Sequence, residues 1–254
     1  MSNPLIRKLI MGIVFVTIVA GGYYFYQSSL KNSEEYNKRM FDIVMTEKMN
    51  LLYEQAKDWS KPLNFDVHDK RLHGDYQILS EFLLNYWAEN TEIRNQYLRT
   101  LKENKWDEFL DVNRLEADKK QNYKESTEML KNVRAAAESY KNRNGDNKRK
   151  ALAQVQGLAL RDDMKKALYE KLQSNLNVDK DSSLIADELL IMNQADEMLE
   201  MLKKYPWQVS DHQILFYTDA QVKRFNSIYQ AILNQDAKIK EKTEQNAEAV
   251  KNED

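Results

Sequence analysis

Hydrophobic residues recur every three or four positions through most of the chain after residue 33, and this spacing is typical of amphipathic α-helices. Pro62 and Pro206 interrupt the pattern, because proline cannot donate the backbone hydrogen bond that a helix interior needs. The pattern predicts an all-α fold, an antiparallel bundle of about five to six helices joined by short loops. The predicted helices cover residues 33–61, 75–101, 107–143, 146–172, 182–202 and 218–234.

A long helical hairpin is predicted in the middle of the chain. Residues 107–143 carry an apolar seam at alternating steps of three and four, the heptad-like pattern of a coiled coil. Asn144 and Gly145 follow, residue types that end helices in the left-handed conformation, and Asp146 can cap the next helix. The two helices on either side of this turn would then pack antiparallel.

The last predicted helix is preceded by one extended run, residues 213–217. Thr218 and Gln221 have capping-box spacing, in which the hydroxyl accepts from the third helical N–H while the glutamine side chain reaches back. After Asn234 the charges alternate without apolar periodicity, so residues 237–254 are predicted to be a frayed or disordered tail.

The N-terminal segment is predicted to be a transmembrane anchor. Residues 9–26 contain no charge, and a helix over residues 5–26 would be about 33 Å long. That length crosses a hydrocarbon core of about 30 Å. A cleaved signal peptide is the competing interpretation, since Arg7 and Lys8 precede the apolar run and small residues follow it. The aromatic residues 23–26 continue the apolar stretch, which favours a retained anchor.

The basic residues near the anchor predict its orientation. Arg7 and Lys8 lie immediately before the helix, although three basic residues on the far side partly offset them. We expect residues 1–8 to be a cytoplasmic tail and residues 27–236 an extracytoplasmic helical bundle. In a Gram-negative bacterium this places the anchor in the inner membrane and the bundle in the periplasm.

Composition narrows the possible functions. The net charge of −2 argues against a nucleic-acid-binding protein, whose contact surface is strongly basic. The chain contains no cysteine, which excludes disulfides, thiolate catalysis and an N-terminal lipid anchor on cysteine. Six glycines and three prolines are few for 254 residues, in agreement with a helical fold.

The sequence contains one cluster of potential metal ligands. His68 and His73 lie close in sequence to Asp66, Asp69 and Asp75. The histidines are five residues apart, not the four that place two ligands on one helix face, and no zinc motif surrounds them. A solvated polar loop is therefore favoured, and no metal or cofactor is predicted.

Catalytic signatures are not apparent in the sequence. It contains no nucleophile elbow, phosphate-binding glycine loop or dinucleotide fingerprint. We also expect no Asp or Glu to stand in an apolar context that would shift its pKa towards a catalytic value. The chain is therefore predicted not to be an enzyme. The residues of interest are structural and form the C-terminal corner: Ile214, Phe216, Thr218, Gln221, Phe225 and Asn226.

This corner resembles that of YiaF-type proteins, a family of bacterial envelope-associated helical proteins of unknown function. There an Ile-x-Phe-x-Thr run, here Ile214 to Thr218, precedes an aromatic–Asn pair, here Phe225 and Asn226. The resemblance implies a periplasmic helical bundle and no catalytic residues. We expect the Asn226 amide to tie the extended run to the following helix. The chain departs from the family in lacking a lipid-anchored cysteine, which a transmembrane helix would replace.

These observations predict a membrane-anchored binding or scaffolding module of the cell envelope, with another envelope protein as partner. A small-ligand receptor is an alternative that a pocket between helices would favour. An immunity-type inhibitor of a toxin is a second alternative. The methionine-containing stripe over residues 184–202 is expected to face the core, although such stripes also form adaptable peptide grooves.

Overall fold

The computed structural model describes residues 35–177 and 180–251, with side chains described in residues 37–174 and 184–242. This part of the chain is predominantly helical, which confirms the predicted all-α class. Its helices are α1 (Glu35–Lys57), α2 (Asp75–Glu103), α3 (Val112–Lys119), α4 (Lys124–Val155), α5 (Asp162–Asn177), α6 (Lys180–Lys204) and α7 (Asp219–Lys251). A 3-10 turn covers Trp106–Glu108, and two strands, β1 (Trp207–Ser210) and β2 (Gln213–Phe216), form one sheet.

The predicted transmembrane anchor, residues 9–26, lies outside the described residues. Among the helices that are described, none combines the length and the apolar composition needed to cross a bilayer.

The described residues divide into two compact units. The first unit contains residues 35–96 and 140–177, and the second contains Tyr97–Ser139 and Ser182–Gln245. Buried apolar residues of the first unit come from α1, α2, the end of α4 and α5. They form a core that includes Val44, Leu52, Leu79, Leu84, Trp87, Val155, Met164 and Leu168.

In the first unit, an extended segment follows α1. Pro62 prevents helix formation, and the side chains of residues 63, 65 and 67 are half-buried while those of residues 64, 66 and 68 are exposed. Two side chains of α1 hold the backbone of this segment. Gln55 exchanges hydrogen bonds of 2.9 and 3.1 Å with the main chain of Asn64, and the Lys48 ammonium donates to the carbonyls of Asp66 and His68.

The second unit contains the antiparallel β-ribbon, in which Trp207 pairs with Phe216 and Ser210 with Gln213. Asp211 and His212 connect the strands, and both have positive φ (49° and 60°), as in the two-residue turns that match strand twist. The structure confirms the predicted extended run at residues 213–217 over Gln213–Phe216. The partner strand β1 was not predicted.

The predicted helical hairpin turn at Asn144 and Gly145 is wrong. α4 runs without interruption through both residues, and Asn144 is only 8% exposed. Asn147, one turn further on, donates from its side-chain amide to Asn90 Oδ1 (2.8 Å) and to the Tyr86 carbonyl (3.3 Å) of α2. Glycine inside a helix costs only about 1 kcal/mol relative to alanine, so packing of this turn outweighs the local tendency to end the helix.

Replacing Gly145 by Ala is expected to raise the free energy of unfolding by about 0.5–1 kcal/mol, because alanine has less backbone entropy to lose. A Cβ there meets only the mobile end of Arg149, 3.4 Å away. Gly74→Ala is the matched comparison, since Gly74 has φ +60° before α2 and the variant should lose about 1 kcal/mol. Urea unfolding of the two variants measures both changes. A destabilised Gly145→Ala would contradict a continuous α4.

The helix predicted over residues 107–143 is also interrupted, so the heptad-like seam is not continuous. Asn122 and Tyr123 both adopt left-handed conformations (φ 57°) between α3 and α4. Asp118 stabilises this break by accepting from Ser126 N (2.8 Å), Ser126 Oγ (2.7 Å) and Glu125 N (3.0 Å) in the first turn of α4. Because the break contains no proline or glycine, the sequence pattern did not reveal it.

The predicted end of the folded part at residue 236 is too early. α7 continues to Lys251, and Ile239 is 1% exposed. Lys238 Nζ and Lys242 Nζ both bind the Asp187 carboxylate of α6, the first at 3.2 Å. One buried isoleucine and these ion pairs hold the turn after residue 236, although its sequence is dominated by charges.

Candidate functional site

A groove of about 730 Å³ lies in the first unit, with α2 as its floor. Ile78, Phe82, Asn85, Glu89 and Glu92 are spaced four, three, four and three residues apart, so they form one stripe along the helix. The opposite face of α2 is buried in the core through residues such as Leu79, Leu83 and Trp87. The amphipathic pattern of α2 thus places a mixed polar and apolar stripe on the open side.

Two walls border this floor. One is the extended segment after α1, which contributes Leu63 and Phe65, and the other is the end of α4, which contributes Asn147 and Gln154. The Leu63 N–H donates to Glu92 Oε2 of α2 at 3.2 Å, so the first wall is bonded to the floor. Asn147 bonds α4 to α2 as described above. Because both walls are held by specific hydrogen bonds, the groove is preformed by the fold.

The charged residues among the described lining of the groove are all acidic: Glu81, Glu89 and Glu92. Glu81 Oε1 accepts from Gln77 Nε2 (2.9 Å) and lies 2.8 Å from His68 Nδ1. The hydrogen bond with His68 and then that from Gln77 lower the pKa of Glu81, which is therefore ionised at neutral pH. Within the described part of the chain, Glu89 is exposed and has no ion-pair partner.

The residues of the potential metal cluster are dispersed over separate interactions. His68 faces Glu81, Asp69 binds Arg71 at 2.8 Å, and Asp75 binds Arg161 at 2.8 Å. Among the described residues, no three His, Cys, Asp or Glu side chains are grouped so that they could hold a metal ion. The sequence did not indicate that His68 contacts the groove residue Glu81, because that contact joins segments 13 residues apart.

The C-terminal corner is organised around two aromatic rings. Phe216 is 8% exposed, and its ring centroid lies 5.2 Å from that of Phe225 on α7. Ile214 is half-buried at the middle of β2. The Thr218 hydroxyl accepts from Gln221 N at 3.4 Å, a long bond that agrees with the predicted cap. The reciprocal half of the capping box is not formed, because Gln221 Oε1 is buried without a partner in the described part of the chain.

The role expected of Asn226 is wrong. Its side chain is exposed on α7, and no hydrogen bond joins it to the described extended run. The ribbon is held instead by Trp207, whose indole N–H donates to Tyr123 Oη (2.7 Å) and to the Leu202 carbonyl (3.2 Å). Lys119 Nζ also donates to the Trp207 carbonyl at 2.6 Å. The contacts of Trp207 with Tyr123 and Lys119 link residues more than 80 positions apart, which the local pattern does not encode.

A buried acid in the second unit contradicts the expectation that no Asp or Glu stands in an apolar context. Glu188 of α6 is 5% exposed and accepts a hydrogen bond from Tyr97 Oη. Burial raises the pKa of Glu188 to about 7, although the Tyr97 bond acts in the opposite direction. The signal was present in the sequence, since apolar residues stand one helical turn before and after Glu188: Leu184, Ile185, Ile191 and Met192.

The pKa of Asp187, the neighbour of Glu188, shifts in the opposite direction. Burial would raise the pKa of Asp187, but hydrogen bonds from Lys242 and Lys238 outweigh it and lower the pKa. Glu188 is 5% exposed and is not accessible to a substrate, so we assign it to the core and not to a catalytic site. The groove of the first unit is the candidate functional site.

Comparisons of the chain with protein-family models, with curated protein sequences and with solved structures find no match. The resemblance of the C-terminal corner to YiaF-type proteins therefore rests on the residues of this sequence alone.

Proposed function

We propose that this protein is a membrane-anchored binding module of the bacterial cell envelope, held in the inner membrane by residues 9–26 with its helical part in the periplasm. The observation that carries the binding function is the groove on α2, whose walls are fixed by the Leu63–Glu92 and Asn147–Asn90 hydrogen bonds. Binding sites are typically concave, largely apolar and preformed, with a few polar groups that orient the ligand.

A receptor for a small ligand is favoured over a scaffold by the form of this site. The groove combines apolar side chains such as Phe65, Phe82 and Leu158 with polar ones such as Asn85 and Gln154. Its volume of about 730 Å³ falls in the range of about 300–1,000 Å³ that is usual for small-molecule sites. A scaffold that acts through a flat helix face would not require such a depression.

The binding function is tested by placing a photo-crosslinking amino acid at Gln154, which is exposed at the groove wall. We expect irradiation of cells expressing the full chain to give one dominant adduct, detected by intact-mass spectrometry. A crosslinker at Lys166 on α5, whose side chain is 78% exposed outside the groove, should not form that adduct. Asn85→Trp, which fills the groove from its floor, should suppress it. Equal labelling from both positions would contradict a binding site in the groove.

The anchor has a separate test. The protein is expected to remain in the membrane fraction through an alkaline carbonate wash, because residues 9–26 carry no charge and are mostly apolar. Immunoblotting of the pellet and supernatant measures this distribution. Recovery of a soluble form whose first residue is Tyr23 would show that the segment is a cleaved signal peptide.

A further inference from the structure

We infer that the groove of the first unit binds a small organic cation that carries an apolar body, such as an arylalkylammonium ion. This inference rests on the proposed function, in which the groove is a binding site, and adds the chemistry of its ligand.

The charge of the groove selects a cation. Three carboxylates line it, those of Glu81, Glu89 and Glu92, and its described lining contains no lysine or arginine. The ammonium of Lys48, beside the extended wall, is directed to other groups, since it donates to the carbonyls of Asp66 and His68. A bound ammonium ion on the stripe would therefore meet negative charge from the groove lining.

The arrangement along α2 also separates the acidic positions from one another. Glu81, Asn85, Glu89 and Glu92 follow the helix over three turns, so a single bound ammonium would face Glu89 with Glu92 one turn beyond. Glu92 Oε2 accepts from the Leu63 N–H, which fixes this carboxylate towards the wall. Glu89 has no such partner among the described residues and is the carboxylate best placed to pair with a ligand.

The apolar lining selects a ligand with a hydrophobic part. Leu63, Phe65, Ile78, Phe82 and Leu158 are partly buried side chains that pack against the core and present their remaining surface to the groove. An aryl or alkyl body would cover this surface, and aromatic rings such as Phe82 also attract cations through their faces. A purely hydrophilic cation would leave the same surface exposed to water.

The size of the groove distinguishes a small molecule from a docked helix. A volume of about 730 Å³ accommodates a ligand of drug-like size. A helix that docks through anchors at i, i+4 and i+7 would place only those side chains in a site of this volume, and its backbone would lie outside it. We therefore assign the groove to a small cation, and a basic peptide becomes an outcome of the test.

The experiment compares three probes that share one apolar body. The full chain is reconstituted in phosphatidylcholine nanodiscs and titrated with 4-phenylbutylammonium, 4-phenylbutanol or 4-phenylbutyrate, with saturation-transfer NMR as the readout. Empty nanodiscs correct for partitioning into lipid. We expect the cation to bind about fivefold more tightly than the alcohol, the gain available from partly exposed ion pairs, and the anion to bind more weakly than the alcohol.

Variants assign the effect to the groove. Glu89→Gln keeps the shape of the side chain and should reduce the affinity for the cation about fivefold while leaving that for the alcohol unchanged. Glu170→Gln on α5, an exposed acid outside the groove, should leave both affinities unchanged. Asn85→Trp should weaken both the cation and the alcohol. Thermal unfolding of each variant verifies that it is folded.

The outcomes separate this inference from the proposed function. Equal affinities for the cation and the alcohol, both lost in Asn85→Trp, would overturn the cationic ligand and leave the groove as a binding site. Binding of a basic amphipathic peptide that Asn85→Trp abolishes, with no binding of 4-phenylbutylammonium, would overturn the small ligand. If none of the probes binds while the Gln154 crosslink forms, the small cationic ligand is overturned and the groove remains a binding site. If the crosslink is also absent, both proposals fail.

Discussion

Phe216→Ala is expected to lower the free energy of unfolding by about 3–5 kcal/mol, the usual loss when a buried phenylalanine is truncated. Phe216 is 8% exposed and packs on Phe225 with ring centroids 5.2 Å apart. It is also the cross-strand partner of Trp207, so removing its ring leaves a cavity where the ribbon meets α7. Against a typical total stability of about 5–15 kcal/mol, this loss is large enough to unfold the second unit at moderate temperature.

The neighbouring Tyr217 provides a matched control. Its ring is 66% exposed, and we expect Tyr217→Ala to change the stability by less than about 0.5 kcal/mol. Urea unfolding of the full chain in detergent, followed by tryptophan fluorescence, compares the two variants with the wild type. If the corner were an exposed partner-binding edge, Phe216→Ala would leave the unfolding midpoint nearly unchanged, and the burial of Phe216 would be contradicted.

Glu188→Gln is expected to remove a strong dependence of stability on pH. Burial raises the pKa of Glu188 to about 7 in the folded protein, against 4.5 for an ordinary glutamate. Between these two pH values the folded state keeps a proton that the unfolded state has lost, so the stability falls as the pH rises. One pKa unit corresponds to about 1.36 kcal/mol, which makes the total loss about 3 kcal/mol by pH ~8.

The effect is measured as the difference in unfolding free energy between Glu188→Gln and the wild type at each pH. Below about pH 4.5 both states of the wild type are protonated at this residue, and Glu188→Gln should differ from it by a constant amount. From there to about pH 8 the variant should gain about 3 kcal/mol relative to the wild type. The amide oxygen introduced by Glu188→Gln can still accept from Tyr97 Oη, so the hydrogen bond is retained.

Glu200→Gln is the control for this series, because Glu200 lies on the same helix with its side chain 66% exposed. The unfolding free energy of this control should follow that of the wild type at every pH. A Glu188→Gln variant that also runs parallel to the wild type over the whole range would show that folding does not raise the pKa of Glu188.

The sequence alone determined the class of the fold and most of its helices. The three-to-four spacing of apolar residues identified α1, α2, α6 and the beginning of α7, because each buries one stripe of side chains and exposes the rest. It did not separate α5 from α4, since residues 146–172 were predicted to be one helix. Proline at position 62 separated α1 from α2, and the Thr218 cap marked the beginning of α7. These are local effects, decided by residues within a few positions of one another.

Long-range packing sets where helices continue or end when local signals are weak. Gly145 lies inside α4 because Asn144 is buried and Asn147 bonds to α2, contacts whose energy exceeds the local cost of glycine. Asp118 holds a left-handed break between α3 and α4 that contains neither glycine nor proline. In each case, hydrogen bonds between a side chain and another helix outweigh the local tendency of the segment to end or to continue a helix.

The candidate site likewise depends partly on local sequence and partly on long-range packing. The stripe of polar and apolar side chains on α2 can be read from its sequence, but the position of the extended segment and of α4 on either side of it cannot. Those walls are placed by the bonds Leu63–Glu92 and Asn147–Asn90, which join residues 29 and 57 positions apart. A groove is a relation between separate elements, so its lining and its charge became visible only when long-range packing had brought those elements together.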